Sequence, residues 1–566
     1  MVVLRIDSKD GTPLGMINWF AVHPTSMNNT NQLVSGDNKG YASQLFEKEM
    51  NPNDRMGTGK FVAAFASSNL GDVSPNIKGP KCIDTGEECD YNHSTCNNFT
   101  QNCIAFGPGD NMKASTGIVA RRQYEAAKEI FHDETTRVNV HGSIKYTHQY
   151  INMTNQQVTI TENGQPKIVT TCPGALGFSF AAGTTDGPGA FDFTQGDTNG
   201  NPFWSLIRDM LRAPSQQQLS CQHPKPILLD VGETHFPYDW VPAIVETQMI
   251  KIGNVYLIGF PGELTTMSGR RMRNAVKKIA DEIGPESDSI AIVAGLTNVY
   301  THYVATFEEY QMQRYEAAST LYGPHTLSAY IQQYSLLTRA LITNSAVEDG
   351  PNPPLLIKGQ ISFNPPIVMD MPPFLRKMGE CIREPYPLAY PGDTIKVTFI
   401  AGHPRNNPLR GGTFFLVERK PEESSTVSQG GGKYAKWETV ATDADWSTEF
   451  RWVRPVPLLP NSEIDFTWEI PEDLQKFGTY RIRHFGYYKP LLRDPLPYTG
   501  STIEFEVRPM TTVAAVLYRR PALPVKNQKI RTIGDFWNAL SGNSWPERDL
   551  KADRRQSVFG SSAFMR

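Results

Sequence analysis

Val255-Tyr256-Leu257-Ile258-Gly259-Phe260 is an apolar run that reads as a buried strand, and Pro261-Gly262-Glu263 breaks it. Ser268 is then expected to cap a helix whose apolar positions Met272, Val276, Ile279 and Ile283 follow the helical period. Ile290-Ala291-Ile292-Val293-Ala294-Gly295-Leu296 is the next strand. Strand, helix and strand in that order imply a right-handed parallel crossover. The spacing therefore predicts an α/β domain with a mainly parallel sheet. A second helix is expected from about Glu308 to Leu321.

In parallel α/β sheets, ligands bind beyond the carboxyl ends of the strands. Met16 to Val22 reads as a strand, and His23 follows it. Phe61 to Ala66 reads as a strand, and Asn69-Leu70-Gly71-Asp72-Val73-Ser74-Pro75-Asn76 follows as a sharp turn. Glu263 follows the Val255 strand, and Tyr300 and Tyr303 follow the Ile290 strand. Four strands thus deliver a histidine, a serine, a carboxylate and a tyrosine to one rim. Ser74 is free to attack a carbonyl, although Pro75 departs from the Gly-x-Ser-x-Gly elbow. Imidazole nitrogen with carboxylate oxygen suits Zn²⁺. Taken singly, each residue has a plainer role. A turn serine commonly only closes its turn, and Glu263 could simply favour a helix N-terminus. Their shared placement at strand ends favours a site.

At 566 residues the chain should hold several domains. Hydrophobic content of 39% and charged content of 20% are ordinary for a globular protein, while 45 glycines and 42 prolines point to many turns. A net charge of −3 provides no broad field to draw in nucleic acid. No segment approaches the ~20 apolar residues of a membrane helix. Met1 to Asp7 already reads as a strand, with no signal peptide before it. A chain that opens inside a strand is expected to lack what came before.

Cys82, Cys89, Cys96 and Cys103 lie at even seven-residue spacing in a polar loop. Zinc modules favour short Cys-x-x-Cys pairs, so two interlocked disulfides fit better. Cys172 and Cys221 offer a third pair, and Cys381 is left over. Sequons begin at Asn92, Asn98 and Asn152, which agrees with an oxidising, secretory compartment.

Pro and Gly thicken at 348–354 and again at Pro365-Pro366. We place the α/β domain at 1–360 and an all-β, immunoglobulin-like sandwich at 361–507. Short strands at 393–400, 413–418, 450–452, 466–468 and 480–483 support the sandwich. A Ser/Gly-rich loop from Glu422 to Gly432 interrupts it. Residues 508–566 form a basic tail, with Arg519-Arg520 and Arg554-Arg555, expected to be poorly ordered. Asp443, Asp445 and Thr448 place two carboxylates and a hydroxyl on one turn, a plausible hard-cation site.

The chain resembles the neutral ceramidase family from about Met1 to Val507. The resemblance rests on Trp19-Phe20-Ala21-Val22-His23-Pro24-Thr25-Ser26-Met27, Asn69 to Asn76, Pro261 to Arg271, Tyr300-Thr301-His302-Tyr303 and Gln313 to Thr320. It implies hydrolysis of the ceramide amide to sphingosine and fatty acid, with contact to a membrane surface. It implies Ser74 as nucleophile, with His23, Glu263 and Tyr303 as zinc ligands and Tyr300 as the neighbouring alternative tyrosine. It implies Tyr315 as a donor to the oxyanion and a structural calcium at Asp443, Asp445 and Thr448. It also implies the bridges Cys82–Cys96, Cys89–Cys103 and Cys172–Cys221. Zn²⁺ lowers the pKa of a bound water toward ~7, which makes it a base for serine. Full-length members carry a preceding segment with another zinc histidine, a further active-site histidine and an arginine. Its absence implies an N-terminally shortened chain of weak zinc binding and activity. The alternatives are a catalytically dead secreted binding or adhesion protein, and another secreted zinc amidase or esterase.

Overall fold

Alternating burial along Ile244–Ile252 places every second side chain of that strand in the core, which is the signature of a sheet covered on one face. This strand sits inside a four-stranded sheet, in the order Ile290–Ala294, Val255–Gly259, Ile244–Ile252, Ile144–Asn152. The computed structural model describes residues 1–284, 288–421, 426–429, 432–435 and 437–510. They divide into two units, Met1–Pro365 and Pro366–Arg566.

The expected parallel pairing across a helix is present. Val255–Gly259 and Ile290–Ala294 pair in parallel, with the Thr266–Ile283 helix between them in sequence. The sheets themselves are mixed rather than mainly parallel. Ile244–Ile252 runs antiparallel to both of its neighbours. In a second sheet, Val2–Asp7 pairs antiparallel with Pro13–Phe20, which pairs in parallel with Val62–Ser67. The difference has a local cause. Gly253-Asn254 is a two-residue link, and a link that short can only fold a strand back on itself.

Helix limits also differ from expectation. Thr265, not Ser268, is the N-cap: the Thr265 hydroxyl accepts the Ser268 amide at 3.2 Å, and Ser268 is buried in the first turn. The 308–321 segment splits into helices Phe307–Gln311 and Tyr315–Ala318. Gln313, at φ +46°, breaks it, and its side-chain amide closes the turn onto the Tyr310 carbonyl at 2.6 Å. Helix Thr326–Thr343 packs Tyr330, Tyr334 and Leu337 into a core with Met272, Val276, Tyr256, Ile258 and Phe260. Burying each such side chain contributes about 1.5–3 kcal/mol. Helices Asp37–Met50 and Met112–His132 cover the other sheet through Phe46, Ala120 and Phe131.

The second unit has a four-stranded and a six-stranded sheet. Ile395, Val397, Phe399, Ile464 and Phe466 of the first share one core with Phe415, Val417, Tyr480 and Ile482 of the second. Phe415 stacks on Phe466 at 4.1 Å, so the two sheets meet face to face as a sandwich. Within the expected 422–432 loop, Thr426–Gln429 pairs antiparallel with Gly432–Ala435, and the remainder from 422 to 431 lies outside the described residues. The tail expected from 508 onward, including Arg519, Arg520, Arg554 and Arg555, lies outside them from residue 511.

His484 is fully enclosed in the sandwich, against Phe399 and Phe415. Its Nδ1–H donates to the Phe414 carbonyl and its Nε2 accepts the Tyr498 hydroxyl, each at 3.0 Å. Burial pushes its pKa down from 6.5 to about 4. The unfolded chain therefore binds the extra proton first, and folding stability drops as pH falls through this window. The loss expected between pH ~6.5 and ~4 is about 3 kcal/mol. Denaturant unfolding followed from neutral to acid pH should show it, and His484→Gln should flatten that slope. An unchanged slope in the variant would assign the acid sensitivity elsewhere.

The structure joins Cys82 to Cys96, Cys89 to Cys103 and Cys172 to Cys221, the pairs implied by the family resemblance. The sulfurs of Cys82, Cys89 and Cys96 approach within 4.8 Å of one another, but as bridged sulfurs they are not metal ligands. Cys381 is free; its thiol donates to the Arg383 carbonyl, and burial pushes its pKa up to about 12. Non-reducing peptide mapping should find Cys381 as the single alkylated thiol among the seven cysteines. Removing the Cys172–Cys221 bridge should cost about 2–5 kcal/mol in an unfolding titration. Free thiols among Cys82 to Cys103 would overturn both the pairing and the secretory assignment.

Candidate active site

Backbone pairing brings the ligand candidates together. Glu263–Leu264 and Tyr303–Val304 form a short parallel ladder in which Glu263 faces Tyr303. The Glu263 amide also donates to the His302 carbonyl at 2.9 Å. On the other side, the Val73 carbonyl accepts both the His23 backbone amide at 2.9 Å and His23 Nδ1–H at 3.1 Å. A carbonyl only accepts, so the proton of neutral His23 sits on Nδ1 and the Nε2 lone pair is exposed to the site. That Nε2 lies 2.7 Å from Glu263 Oε2 and 3.2 Å from the Tyr303 hydroxyl. Burial disfavours a charged His23, but the hydrogen bond and charge of Glu263 outweigh it and raise its pKa. Burial, then the Glu263 charge, raises the Tyr303 pKa strongly, so its phenol stays neutral.

A lone pair aimed at a carboxylate needs a cation between them. A proton serves when nothing else is present, and nitrogen and oxygen donors of this kind equally suit Zn²⁺. His23, Glu263 and Tyr303 therefore fit a zinc ion. Tyr300 plays a different part: its hydroxyl donates to Glu263 Oε1 at 2.7 Å and so orients the carboxylate.

The Asn69–Asn76 turn is built by close backbone approach. The Gly71 amide donates to the Leu264 carbonyl at 2.9 Å, and a Cβ on Gly71 would lie only 3.0 Å from that carbonyl. Asp72 accepts the Thr266 amide at 2.7 Å and so caps the helix that follows Glu263. Arg273 Nη1 donates to Asn69 Oδ1 at 2.6 Å. These contacts fasten the serine turn to the Glu263 strand, and Ser74 itself is exposed. Its hydroxyl donates to Asp186 Oδ1 at 2.8 Å.

Tyr315 stands over the site in edge contact with Tyr303 at 5.3 Å and stacked on Phe180 at 5.9 Å. Its backbone amide donates to Gln195 Oε1 at 2.5 Å. The neighbouring Arg314 donates to the Tyr91 carbonyl and the Ser94 hydroxyl, each at 2.8 Å, so the disulfide loop braces this tyrosine. Burial pushes the Tyr315 phenol up to about 12, which leaves a neutral O–H donor at physiological pH.

His23, Ser74, Glu263, Tyr303 and Tyr315 thus form one neighbourhood. Asp443, Asp445 and Thr448 belong to the other unit. There Asp443 accepts the Thr413 hydroxyl and the Phe414 amide, and Asp445 accepts the Thr442 amide. Thr448 Oγ1 donates to the Thr442 and Asp445 carbonyls at 2.8 Å each. The turn is closed by its own protein groups. Asp186 is a site neighbour that sequence reasoning missed, whereas Thr25, Asn76 and Asp72 stood in the quoted strings without a role of their own. A lone aspartate before a glycine, as in Thr185-Asp186-Gly187, reads as an ordinary turn and carries no functional signal.

A sequence profile described as "Neutral/alkaline non-lysosomal ceramidase, N-terminal" matches residues 1–332, and its C-terminal counterpart matches 334–507. The neutral ceramidase of Drosophila melanogaster is 45% identical over 511 residues, covering 89% of this chain and 71% of that protein. Neutral ceramidase 2 of Arabidopsis thaliana is 42% identical over 567 residues, covering 89% of this chain and 73% of that protein. Among solved structures, the neutral ceramidase from Pseudomonas aeruginosa matches with a TM-score of 0.70 at 32% identity, covering 90% of this chain and 71% of that one. A ceramidase complexed with C2 matches with a TM-score of 0.73 at 34% identity, covering 90% and 72%. Two adjoining profile matches, high identity and a shared fold agree: the chain belongs to the neutral/alkaline non-lysosomal ceramidase family.

Proposed function

We propose that the chain is a zinc-dependent ceramidase, which hydrolyses the N-acyl amide of ceramide to sphingosine and a free fatty acid. The observation that carries this is the convergence of His23 Nε2, Glu263 Oε2 and the Tyr303 hydroxyl beside the turn that bears Ser74. The named ceramidase relatives supply the substrate class. His23, Glu263 and Tyr303 would hold the zinc. When bound, it supplies a Lewis acid for the amide carbonyl oxygen.

The chain's own residues supply the rest. Ser74 is the nucleophile, exposed at the turn with its hydroxyl already oriented. Tyr315 donates its phenolic hydrogen to the oxygen that becomes negative during attack. Tyr300 holds the Glu263 carboxylate in register.

Ceramide is a membrane lipid, so the enzyme works at a membrane surface. No helix among the described residues is long and apolar enough to cross one. The three disulfides, with sequons whose asparagines are exposed, support passage through the secretory pathway. The sandwich is immunoglobulin-like, a reading supported by the parallel pairing of its early strand Leu388–Ala389 with its last, Phe505–Val507. Asp443, Asp445 and Thr448 offer the oxygen donors a structural calcium takes.

The test is release of fatty acid and sphingosine, one for one, from ceramide labelled in both halves, alongside simple esters. Ester turnover without ceramide turnover would assign a different hydrolase. No turnover of either by zinc-loaded protein would favour a binding role.

A further inference from the structure

Serine hydrolases usually activate the hydroxyl through a histidine. Here His23 is unavailable for that task. Its Nδ1–H is held by the Val73 carbonyl, and its Nε2 faces Glu263 and Tyr303. The Ser74 hydroxyl turns instead to a carboxylate.

A hydroxyl has one hydrogen and two lone pairs. The Ser74 hydrogen points at Asp186 Oδ1, 2.8 Å away. One lone pair accepts the Asn76 backbone amide at 3.0 Å. The second lone pair remains on an exposed side chain, so the attack direction is set before substrate arrives. Asp186 is itself held on both oxygens. Asn76 Nδ2 donates to Oδ1 at 3.0 Å, and the Thr25 hydroxyl donates to Oδ2 at 3.2 Å.

The backbone beneath Asp186 is equally constrained. Thr185-Asp186 is the two-residue tip of a hairpin formed by Gly183–Thr184 and Gly187–Pro188. Gly183 sits at φ +66°, where a Cβ would come within 2.3 Å of the Gly187 carbonyl oxygen, so only glycine builds this tip. The Thr185 carbonyl accepts the Ala105 amide at 2.8 Å, from the strand Cys103–Phe106 of the disulfide loop. A carboxylate placed this rigidly is preorganised for one partner.

We propose that Asp186 is the general base for Ser74, which rests on the reading of Ser74 as the nucleophile. As Oγ bonds to the amide carbon, the O–H bond breaks and its proton passes to Asp186 Oδ1, while the carbonyl π pair moves onto oxygen. When the tetrahedral centre collapses, the C–N bond breaks and the departing nitrogen takes that proton. Neutral amine leaves, and Asp186 is again a carboxylate. Water then cleaves the Ser74 ester by the reverse relay: its proton goes to Asp186 and on to Oγ. A carboxylate suffices because the Oγ proton becomes strongly acidic as the C–O bond forms.

The experiment compares Asp186→Asn, Asp186→Glu and Ser74→Ala in the zinc-loaded full chain. It measures kcat and KM on labelled ceramide, zinc content, and the rate at which a serine-directed fluorophosphonate labels Ser74. Asn keeps the size and can still accept the Ser74 hydrogen bond, so a role limited to holding the turn survives it. The expected result is a kcat lower by ~10²–10⁴-fold in Asp186→Asn, with KM and zinc little changed and labelling slowed in parallel. Asp186→Glu should recover at least roughly tenfold of that loss, because the carboxylate returns. Near-normal kcat and labelling in Asp186→Asn, with Ser74→Ala inactive, would leave Ser74 as nucleophile and overturn the role of Asp186. Should the Asn variant unfold, Asp186→Ser takes its place, and near-normal kcat and labelling in that folded variant would overturn the role of Asp186 as well. Activity retained by Ser74→Ala would overturn the nucleophile assignment and this inference together.

Discussion

Ser74→Ala should lower ceramide hydrolysis by about 10³-fold or more while zinc content stays at the wild-type level. In free-energy terms this is about 4 kcal/mol of transition-state stabilisation. The whole of it should appear in catalysis, because the folding cost is small. Ser74 is exposed, and water replaces the bond it loses to Asp186; the bond from the Asn76 amide is partly buried and its loss costs about 1 kcal/mol. Zinc should be unaffected because His23, Glu263 and Tyr303 make no bond to Ser74; the shared anchor is the Val73 carbonyl, a backbone group the substitution leaves in place. Turnover on labelled ceramide with elemental analysis of the same sample measures both quantities. Most of the activity surviving would show that water attacks the amide directly.

Glu263→Gln should lose zinc and activity together. Groups that hydrogen-bond to metal ligands typically contribute about 10–100-fold in affinity, so a carboxylate that binds the metal directly should contribute at least about 10²-fold. Gln preserves volume and the hydrogen bond from Tyr300, so the loss isolates the charge. The two tyrosines then separate. Tyr303→Phe removes a hydroxyl 3.2 Å from His23 Nε2 and should strip zinc, whereas Tyr300→Phe removes only a donor to Glu263 and should weaken it more mildly. Zinc titration of the three variants measures this order. Equal zinc retention in Tyr303→Phe and the wild-type chain would remove Tyr303 from the ligand set, and a larger loss in Tyr300→Phe would exchange their roles.

Much of this protein is local. Apolar period and glycine or proline punctuation belong to neighbouring residues, so the strands at Val255 and Ile290, the helix between them and the strands of the sandwich could be read directly from the chain. Strand ends are local too, which is why His23, Ser74, Glu263 and Tyr303 stood out before any fold was known. Cysteine spacing pointed to an oxidising compartment by the same kind of reasoning, while the pairing itself needed the family resemblance.

What tertiary structure decided is what no local period records. The two-residue Gly253-Asn254 link turns Ile244–Ile252 back on Val255–Gly259 locally, but its other antiparallel partner, Ile144–Asn152, lies about a hundred residues earlier in the chain. The Thr266 amide in the first turn of the Thr266–Ile283 helix is taken up by Asp72, 194 residues away. Asp186 lies 112 residues from the serine it contacts, on a glycine-bounded turn like many others. Hydrogen bonds between distant segments depend on where folding places both partners, and only the packed chain specifies that.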